Sequence, residues 1–435
     1  MLRTLVTLAL SLGLVIPAYA DHHQPAAAET DVEPRPMPIE ELRNFAEVFE
    51  RIRSAYVEEI DDETLFSYAI QGMLRSLDPH STYLQPDAFS DLQEHTTGEF
   101  GGLGIEISQQ DGLILVVSPI DDTPAERAGI LPGDLIVTLD GKSVMGMSVS
   151  EAVETMRGTP GSTIQLEVRR QDESELLDFE LERAVIKVAS VRGDMLSNGI
   201  GYLRITQFQS HTGEELVKKI KKWQDQDELN GLVLDLRNNP GGVLGAAVDV
   251  SNAFLEEGLI VYTEGRATDS ELRYHATPET SGGDLPMVVL INGGSASASE
   301  IVAGALQDHH RAIILGTRSF GKGSVQSVLP LANNKAVKLT TARYFTPKGR
   351  SIQAQGIEPD IVVAQSDVTP RKSVRRLKEA DLQGHLSNPE DGDEENAKSN
   401  RPTPGELLTR DFQLYEAHTL LRGMTIVRAG KTQEG

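Results

Sequence analysis

The chain has 435 residues, a formal net charge of −24 and no cysteine. Such acidity repels polyanions, which excludes nucleic acid and anionic membrane as natural partners. The missing thiols exclude disulfides, cysteine chemistry and a lipid-modified N-terminal cysteine, and the length suffices for two or three domains.

The chain opens Met1-Leu2-Arg3, continues through an apolar stretch from Leu5 to Ile16 and then reads Pro17-Ala18-Tyr19-Ala20. This is the order of a secretory signal peptide, with cleavage expected after Ala20. The stretch is short for a membrane span. Export without thiols fits a bacterial periplasm, the expected location. Residues 21–37, rich in Ala, Pro and Glu, are expected to form a flexible leader. Residues 38–97 have helical periodicity, with Ile39, Leu42, Phe45, Val48, Phe49 and Ile52 on one face. The region contains the turn Leu77-Asp78-Pro79-His80-Ser81, read as polar groups capping helices rather than as a catalytic histidine.

From 98 to 183 the pattern changes to short strands. Gly101-Gly102-Leu103-Gly104-Ile105 leads into Leu113-Ile114-Leu115-Val116-Val117. Thr123-Pro124-Ala125-Glu126 reads as a capping box on a short helix that Gly129 stops. A second helix near 148–156 precedes Arg157-Gly158-Thr159-Pro160-Gly161 and the strand 163–168. This order resembles a circularly permuted bacterial PDZ domain. The loop of Gly102, Leu103, Gly104 and Ile105 would offer N–H groups to a peptide's terminal carboxylate, while the adjoining strand pairs with the peptide.

From 184 to 365 strands alternate with helices, as in an α/β core, closed by strands near 324–331 and 336–343. Thr212-Gly213-Glu214-Glu215 reads as a capping box. Residues 287–291 are continuously apolar, as in a buried parallel strand. They run into Asn292-Gly293-Gly294-Ser295-Ala296-Ser297-Ala298-Ser299-Glu300 and a helix. A serine at such a turn stands near free helix N–H groups able to stabilise an oxyanion. Further on, Phe320-Gly321-Lys322-Gly323-Ser324 puts a lysine between two glycines without phosphate-loop spacing. The pair points to a serine nucleophile, Ser297, with a lysine base, Lys322. The oxyanion donors are expected from the N–H of Ala298 and one of Gly241 or Gly242. His309 and His310 lie roughly 18 Å along the helix from Ser297 at ~1.5 Å per residue, and His275 is in a loop, so a histidine base is poorly supported. No metal, nucleotide or other cofactor is implied. Residues 366–402 read as a polar linker. A helix within 403–435, carrying Leu408, Phe412, Tyr415, Leu420 and Leu421, has no evident home on the core and is expected to pack on another subunit, as is the apolar face of 39–52.

With helical lead, PDZ domain and Ser/Lys core in that order, residues 38–365 resemble the carboxy-terminal processing peptidases, or tail-specific proteases. The motifs that carry the likeness are Leu77–Ser81, Gly102–Ile105, Asp235-Leu236-Arg237-Asn238-Asn239-Pro240-Gly241-Gly242, Gly294–Glu300 and Ser319–Gln326. The resemblance implies Ser297 as nucleophile, Lys322 as general base and Gln326 as the residue that positions the lysine. It also implies endoproteolysis of proteins with unstructured apolar C-terminal tails, cell-wall hydrolases among them, and in some members an adaptor lipoprotein. Arg157 is a candidate for gating the site by contact with the core. A homo-oligomer is expected. The alternative is a PDZ-bearing binding or scaffold protein with an inactive core, against which the complete Ser/Lys/Gln set argues.

Overall fold

The computed structural model describes residues 37–171, 173–226, 229–267, 270–278, 280–366 and 411–432. The expected signal peptide, most of the expected leader and linker, and the expected helix start at residue 403 lie outside the described residues.

Two helices, α1 (Ile39–Ala55) and α2 (Asp62–Arg75), begin the described chain. Asp61 caps α2 by accepting from the Thr64 N–H and hydroxyl. The pair meets through aromatic rings, Phe49 stacking on Phe66 with centroids 4.5 Å apart. No residue of α1 is buried, and Ile39, Leu42, Val48 and Ile52 stay exposed. After the Asp78 turn come a short strand, β1 (Thr82–Leu84), and α3 (Pro86–Thr97), which Pro86 starts and Gly98 ends in the left-handed region.

The PDZ unit begins with β2 (Glu99–Gly102), β3 (Ile105–Gln110) and β4 (Leu113–Pro119). The short helix α4 (Pro124–Arg127), β5 (Leu135–Leu139), β6 (Lys142–Ser143) and α5 (Val149–Met156) follow. The strands β7 (Thr163–Arg169), β8 (Leu177–Glu182) and β9 (Ala184–Lys187) complete it. Its main sheet has the order β3-β4-β5-β7-β8, with β6 beside β5, while β2 and β9 form a separate ribbon. Alternating residues of β4, β5 and β7 (Ile114, Val116, Ile136, Ile164, Leu166) bury against Ala152 and Met156 of α5. Ser148 and Glu151 form a capping box on α5. The box expected at Thr123 does not form. The Thr123 hydroxyl donates to the Ile120 and Gly104 carbonyls without accepting from a helix N–H, and the Glu126 carboxylate accepts from the Asp122 N–H rather than from that of Thr123.

In the α/β core, β10 (Val191–Leu196), β11 (Ile200–Ile205), α6 (Thr212–Gln224), β12 (Gly231–Asp235) and α7 (Leu244–Asn252) come first. Thr212 lies inside α6 rather than capping it, its hydroxyl accepting from the Gln209 N–H. β13 (Leu259–Gly265), β14 (Arg273–His275), β15 (Met287–Ile291), α8 (Ala298–Asp308) and β16 (Ile313–Gly316) follow. Then come β17 (Ser324–Pro330), β18 (Ala336–Phe345), β19 (Ile361–Val362) and α9 (Phe412–Thr432).

The central sheet runs β10-β11-β12-β15-β16-β19, antiparallel only between β10 and β11. β13, β17 and β18 do not close this sheet as the sequence pattern implied. With β1 and β14 they build a second one, all antiparallel.

Every residue of β12 and β15 is buried, as in strands covered on both sides. One face (Leu232, Leu234, Met287, Val289, Ile291) packs under α6, α7 and α8. The other (Val233, Val288, Leu290, Leu315) receives Leu414, Ala417 and Leu421 of α9. The C-terminal helix thus has its home on its own core, which corrects the expectation that this face meets another subunit. Arg237, nearly buried, fixes its start: the guanidinium bonds to both Asp411 oxygens (2.9 and 2.6 Å), to Gln413 (2.9 Å) and to Asp235 (2.9 and 2.7 Å). Against the effect of burial, Asp235 and Asp411 raise the Arg237 pKa.

Candidate active site

Two turns at the carboxyl ends of parallel strands form the floor of the site. After β12, the turn 236–242 lies against the turn 292–297 that follows β15. Asn238 and Asn292 link them: the Asn238 N–H donates to Asn292 Oδ1 and the Asn292 amide donates back to Asn238 Oδ1, each at 2.9 Å. The Ser295 hydroxyl donates to the Leu236 carbonyl, and the Ala296 N–H to that of Asn239.

Ser297 stands at the N-terminus of α8 with φ 55° and ψ −113°. A non-glycine residue held there carries strain of about 1–3 kcal/mol. A serine on such a strand-to-helix turn projects its hydroxyl beyond the sheet edge, with the helix N-terminus behind it. Gly241 makes room for the turn, since a Cβ at that position would lie 2.7 Å from Ser297 Cβ and 2.9 Å from the Ala298 nitrogen. The Gly241 N–H is occupied by Asn239 Oδ1 at 2.9 Å. The Gly242 N–H has no partner among the described residues, and the same is true of the Ala298 N–H at the first position of α8. Of the two candidate glycines, Gly242 has the free donor.

Glu300 ties the serine turn to the lysine loop. Its side chain is fully buried, and Oε2 accepts from the Ser297 N–H (2.8 Å) and the Lys322 N–H (2.9 Å). Oε1 accepts from the Ser319 hydroxyl (2.6 Å) and the Gly321 N–H (2.7 Å). Burial pushes this carboxyl above its usual range, while the four donors pull the other way. Tyr344 closes the loop from β18: its N–H donates to the Gly323 carbonyl, and its phenol donates to the Lys322 carbonyl and lies against the Ser297 hydroxyl. Burial, then the Glu300 carboxylate, raises the phenol pKa well above the ordinary value, so it serves as a neutral donor.

A cavity of about 390 Å³ opens over these groups, lined by Ser297, Lys322, Gln326, Lys338 and Tyr344, with Leu92 and His95 of α3 on the far side. Burial, then the Lys338 ammonium, lowers the Lys322 pKa from the ordinary lysine value; Glu300 opposes this. Among the described residues no hydrogen bond joins the Lys322 amine to Ser297 Oγ. Gln326 does not hold the lysine as expected: its amide donates to the Ser324 hydroxyl (2.7 Å) and carbonyl (3.2 Å), the nearest acceptors along its own strand.

The Asp78 turn does more than cap helices. Although burial opposes it, hydrogen bonds from Ser81, His80 and Thr340 keep the Asp78 pKa below the ordinary value. Asp78 and Ser81 bond to Thr340 of β18, the cross-strand partner of Gln326. His80 is thereby brought near Lys322; burial, then Lys322, lowers its pKa. His309, at the C-terminal end of α8, bonds to the Leu259 carbonyl at 2.7 Å.

In the PDZ unit the carbonyls of Leu103 and Gly104 are tied inward, to the N–H groups of Ala125 and Ile120. The Leu103 and Gly104 N–H groups have no partner among the described residues. β3 beside them is an edge strand of its sheet, with α5 packed on it. A Cβ at Gly104 would collide with the Thr123 side chain at 2.3 Å, so glycine here shapes the loop itself. Arg157 makes no hydrogen bond or ion pair to the α/β core among the described residues. It bonds to Glu94 of α3 at 2.7 Å and lies over the Phe100 ring, bracing the PDZ unit on the helix that lines the cavity.

Sequence reading missed the junction role of Glu300, the phenol of Tyr344 and the pocket lysine Lys338. A glutamate three residues after the turn serine was a visible capping signal; nothing marked the other two.

Residues 199–363 match the peptidase family S41, residues 101–181 the PDZ domain family and residues 16–88 the activating protease CtpB N-terminal domain. A carboxy-terminal-processing protease of Bartonella bacilliformis is 48% identical over 387 residues, 88% of each chain. Carboxy-terminal processing protease CtpA of Bacillus subtilis is 38% identical over 72% of this chain and 67% of its own. Among solved structures, the photosystem II D1 C-terminal processing protease is 31% identical, with TM-score 0.44, covering 74% of this chain and 92% of its own. The chain belongs to peptidase family S41, as a serine peptidase of the carboxy-terminal processing type with a PDZ domain.

Proposed function

We propose that this peptidase cleaves exported proteins, captured by unstructured apolar C-terminal tails, with Ser297 as nucleophile and Lys322 as general base. The observation that carries the reading is the strained Ser297 at the head of α8 in one cavity with a lysine whose pKa is lowered. In acylation the Ser297 proton passes to the neutral Lys322 amine as the Oγ–C bond forms. The N–H groups of Ala298 and Gly242 receive the developing oxyanion. The protonated lysine then gives its proton to the leaving amine, and water hydrolyses the acyl-enzyme by the same route in reverse. In this reading the Lys322 side chain swings to the serine, and Gln326 steadies it there. The tail's carboxylate meets the free N–H groups of Leu103 and Gly104 and its strand adds to β3.

The compartment is proposed to be the periplasm, on the signal-like N-terminus. The exposed apolar face of α1 is the proposed subunit contact.

Lys322→Arg decides the base: it keeps the charge, yet guanidinium cannot deprotonate in this range. Turnover of a protein with an apolar C-terminal tail should vanish in Lys322→Arg as in Ser297→Ala. Appreciable turnover by a folded Lys322→Arg variant refutes the lysine base. Because the Lys322 pKa is lowered, wild-type activity should rise with pH through that pKa, below the usual lysine range.

A further inference from the structure

The cavity contains a second lysine that the Ser297/Lys322 chemistry leaves without a role. Lys338 of β18 lies directly across from Val328 of β17, and Thr340 directly across from Gln326. Residues opposite one another in an antiparallel pair, like residues two apart on one strand, project to the same face. Lys338, Val328 and Gln326 therefore share the face that lines the cavity with Ser297 and Lys322. Lys338 is half-buried and has no ion-pair partner among the described residues.

The groups around Lys322 come from every neighbouring element. The Asp78 turn brings His80, which burial and Lys322 keep toward its neutral form. α3 contributes His95 to the cavity wall. β18 supplies the neutral Tyr344 phenol and Lys338. α8 supplies the Glu300 carboxylate, which favours the protonated lysine but spends its oxygens on four other donors. Lys338 is the group whose charge opposes that of Glu300.

We propose that Lys338 is a positioning residue for hydrolysis, whose ammonium keeps the Lys322 amine in its proton-accepting form by making a second cation in the same cavity costly. The inference rests on the reading of Lys322 as general base. Burial and Lys338 act in the same direction on Lys322, the arrangement by which a neighbouring cation activates a lysine. It also assists the second half of the step. Once Lys322 has taken the Ser297 proton it stands charged beside Lys338, and that repulsion favours passing the proton to the leaving nitrogen.

The test compares wild type with Lys338→Met, Lys338→Gln and Lys338→Arg, all checked for fold by circular dichroism. The pH dependence of kcat/KM on a fluorogenic peptide is measured with that of serine labelling by a fluorophosphonate. Removing the charge should move the acid limb of both profiles up by about one pH unit, a tenfold change in the neutral-amine fraction. Turnover near neutral pH then falls about tenfold and recovers at high pH, while Lys338→Arg keeps the wild-type limb. Lys338→Gln serves if the apolar replacement fails to fold. An unmoved limb, a loss equal at every pH, or a raised KM with the limb in place overturns the proposal. Turnover retained by Lys322→Met would instead overturn the base assignment beneath it, so that variant is measured first.

Discussion

Replacing Glu300 by glutamine changes one oxygen to an amide nitrogen and leaves the shape intact, so its effect reports on the junction between serine and lysine. The four groups around the carboxylate all donate to it, at 2.6 to 2.9 Å, and the side chain is fully buried. An amide supplies one acceptor oxygen and two N–H donors. If the nitrogen faces Ser297 and Lys322, two backbone N–H groups meet a donor. If it faces Ser319 and Gly321, the serine hydroxyl can rotate to accept, but the Gly321 N–H is left orphaned. The second orientation costs less: about 1–3 kcal/mol for the orphaned N–H, plus about 1 kcal/mol for two hydrogen bonds that lose their charge. A total of about 2–4 kcal/mol corresponds to roughly 4–16 °C of melting temperature for a unit of this size. Oε2 still accepts from Ser297 and Lys322, but the Gly321 N–H beside Lys322 loses its acceptor and the lysine loop must shift, so kcat should fall on the order of 10²-fold, the cost expected when reacting groups shift by about 1 Å. Calorimetry and steady-state kinetics on one preparation check both figures. A glutamine variant melting within about 2 °C of wild type at unchanged kcat would refute the claim that this carboxylate aligns the site.

Gly242→Ala should lose roughly 10²–10³-fold in kcat, the cost of one oxyanion donor, because its Cβ would lie 2.0 Å from the Phe208 carbonyl oxygen and displace the turn; normal turnover by a folded variant would show that the donor lies elsewhere. Asp411→Ala should destabilise the core by about 3 kcal/mol, the lower end for breaking a buried pair since Asp411 is partly exposed, with chemical denaturation as the check. The Asp411 pKa is lowered by Arg237 against burial. Its contribution should therefore be complete above the unfolded aspartate pKa and fade as pH falls through the lower folded value.

Much of the architecture was legible because it depends on local signals. The apolar run before Ser297 is buried on both sides, as its composition required, and the small residues after it make the turn. Gly-rich loops, turn residues and helix starts lie where their backbone preferences put them. The choice between strands that enter the parallel sheet and strands that leave it was not legible, since β13 is as apolar at its start as β12 or β15. Its pairing with β18, some 80 residues later, is a long-range contact with no local mark. Side-chain partners were equally hidden. Gln326 could reach the lysine or its own strand neighbour, and only packing selected Ser324.

The C-terminal helix shows how a signal can be present and still be missed. Parallel strands that are apolar on both faces need cover on both. The helices between the strands, α6, α7 and α8, all lie over the face formed by Leu232, Leu234, Val289 and Ile291. Val233, Val288 and Leu290 of the same strands project the other way, and among the described residues α9 is the helix that packs on them. A helix arriving late with Leu414, Ala417 and Leu421 on one face meets that demand. Its anchor had a mark as well. Arg237 sits in the turn 236–242 as a nearly buried cation, and such a charge needs more than the single carboxylate of Asp235. Asp411 and Gln413 supply the rest. The same arginine thus carries both the docking of the last helix and the end of the strand that leads to Gly242, so the C-terminal extension is part of the unit that shapes the active site.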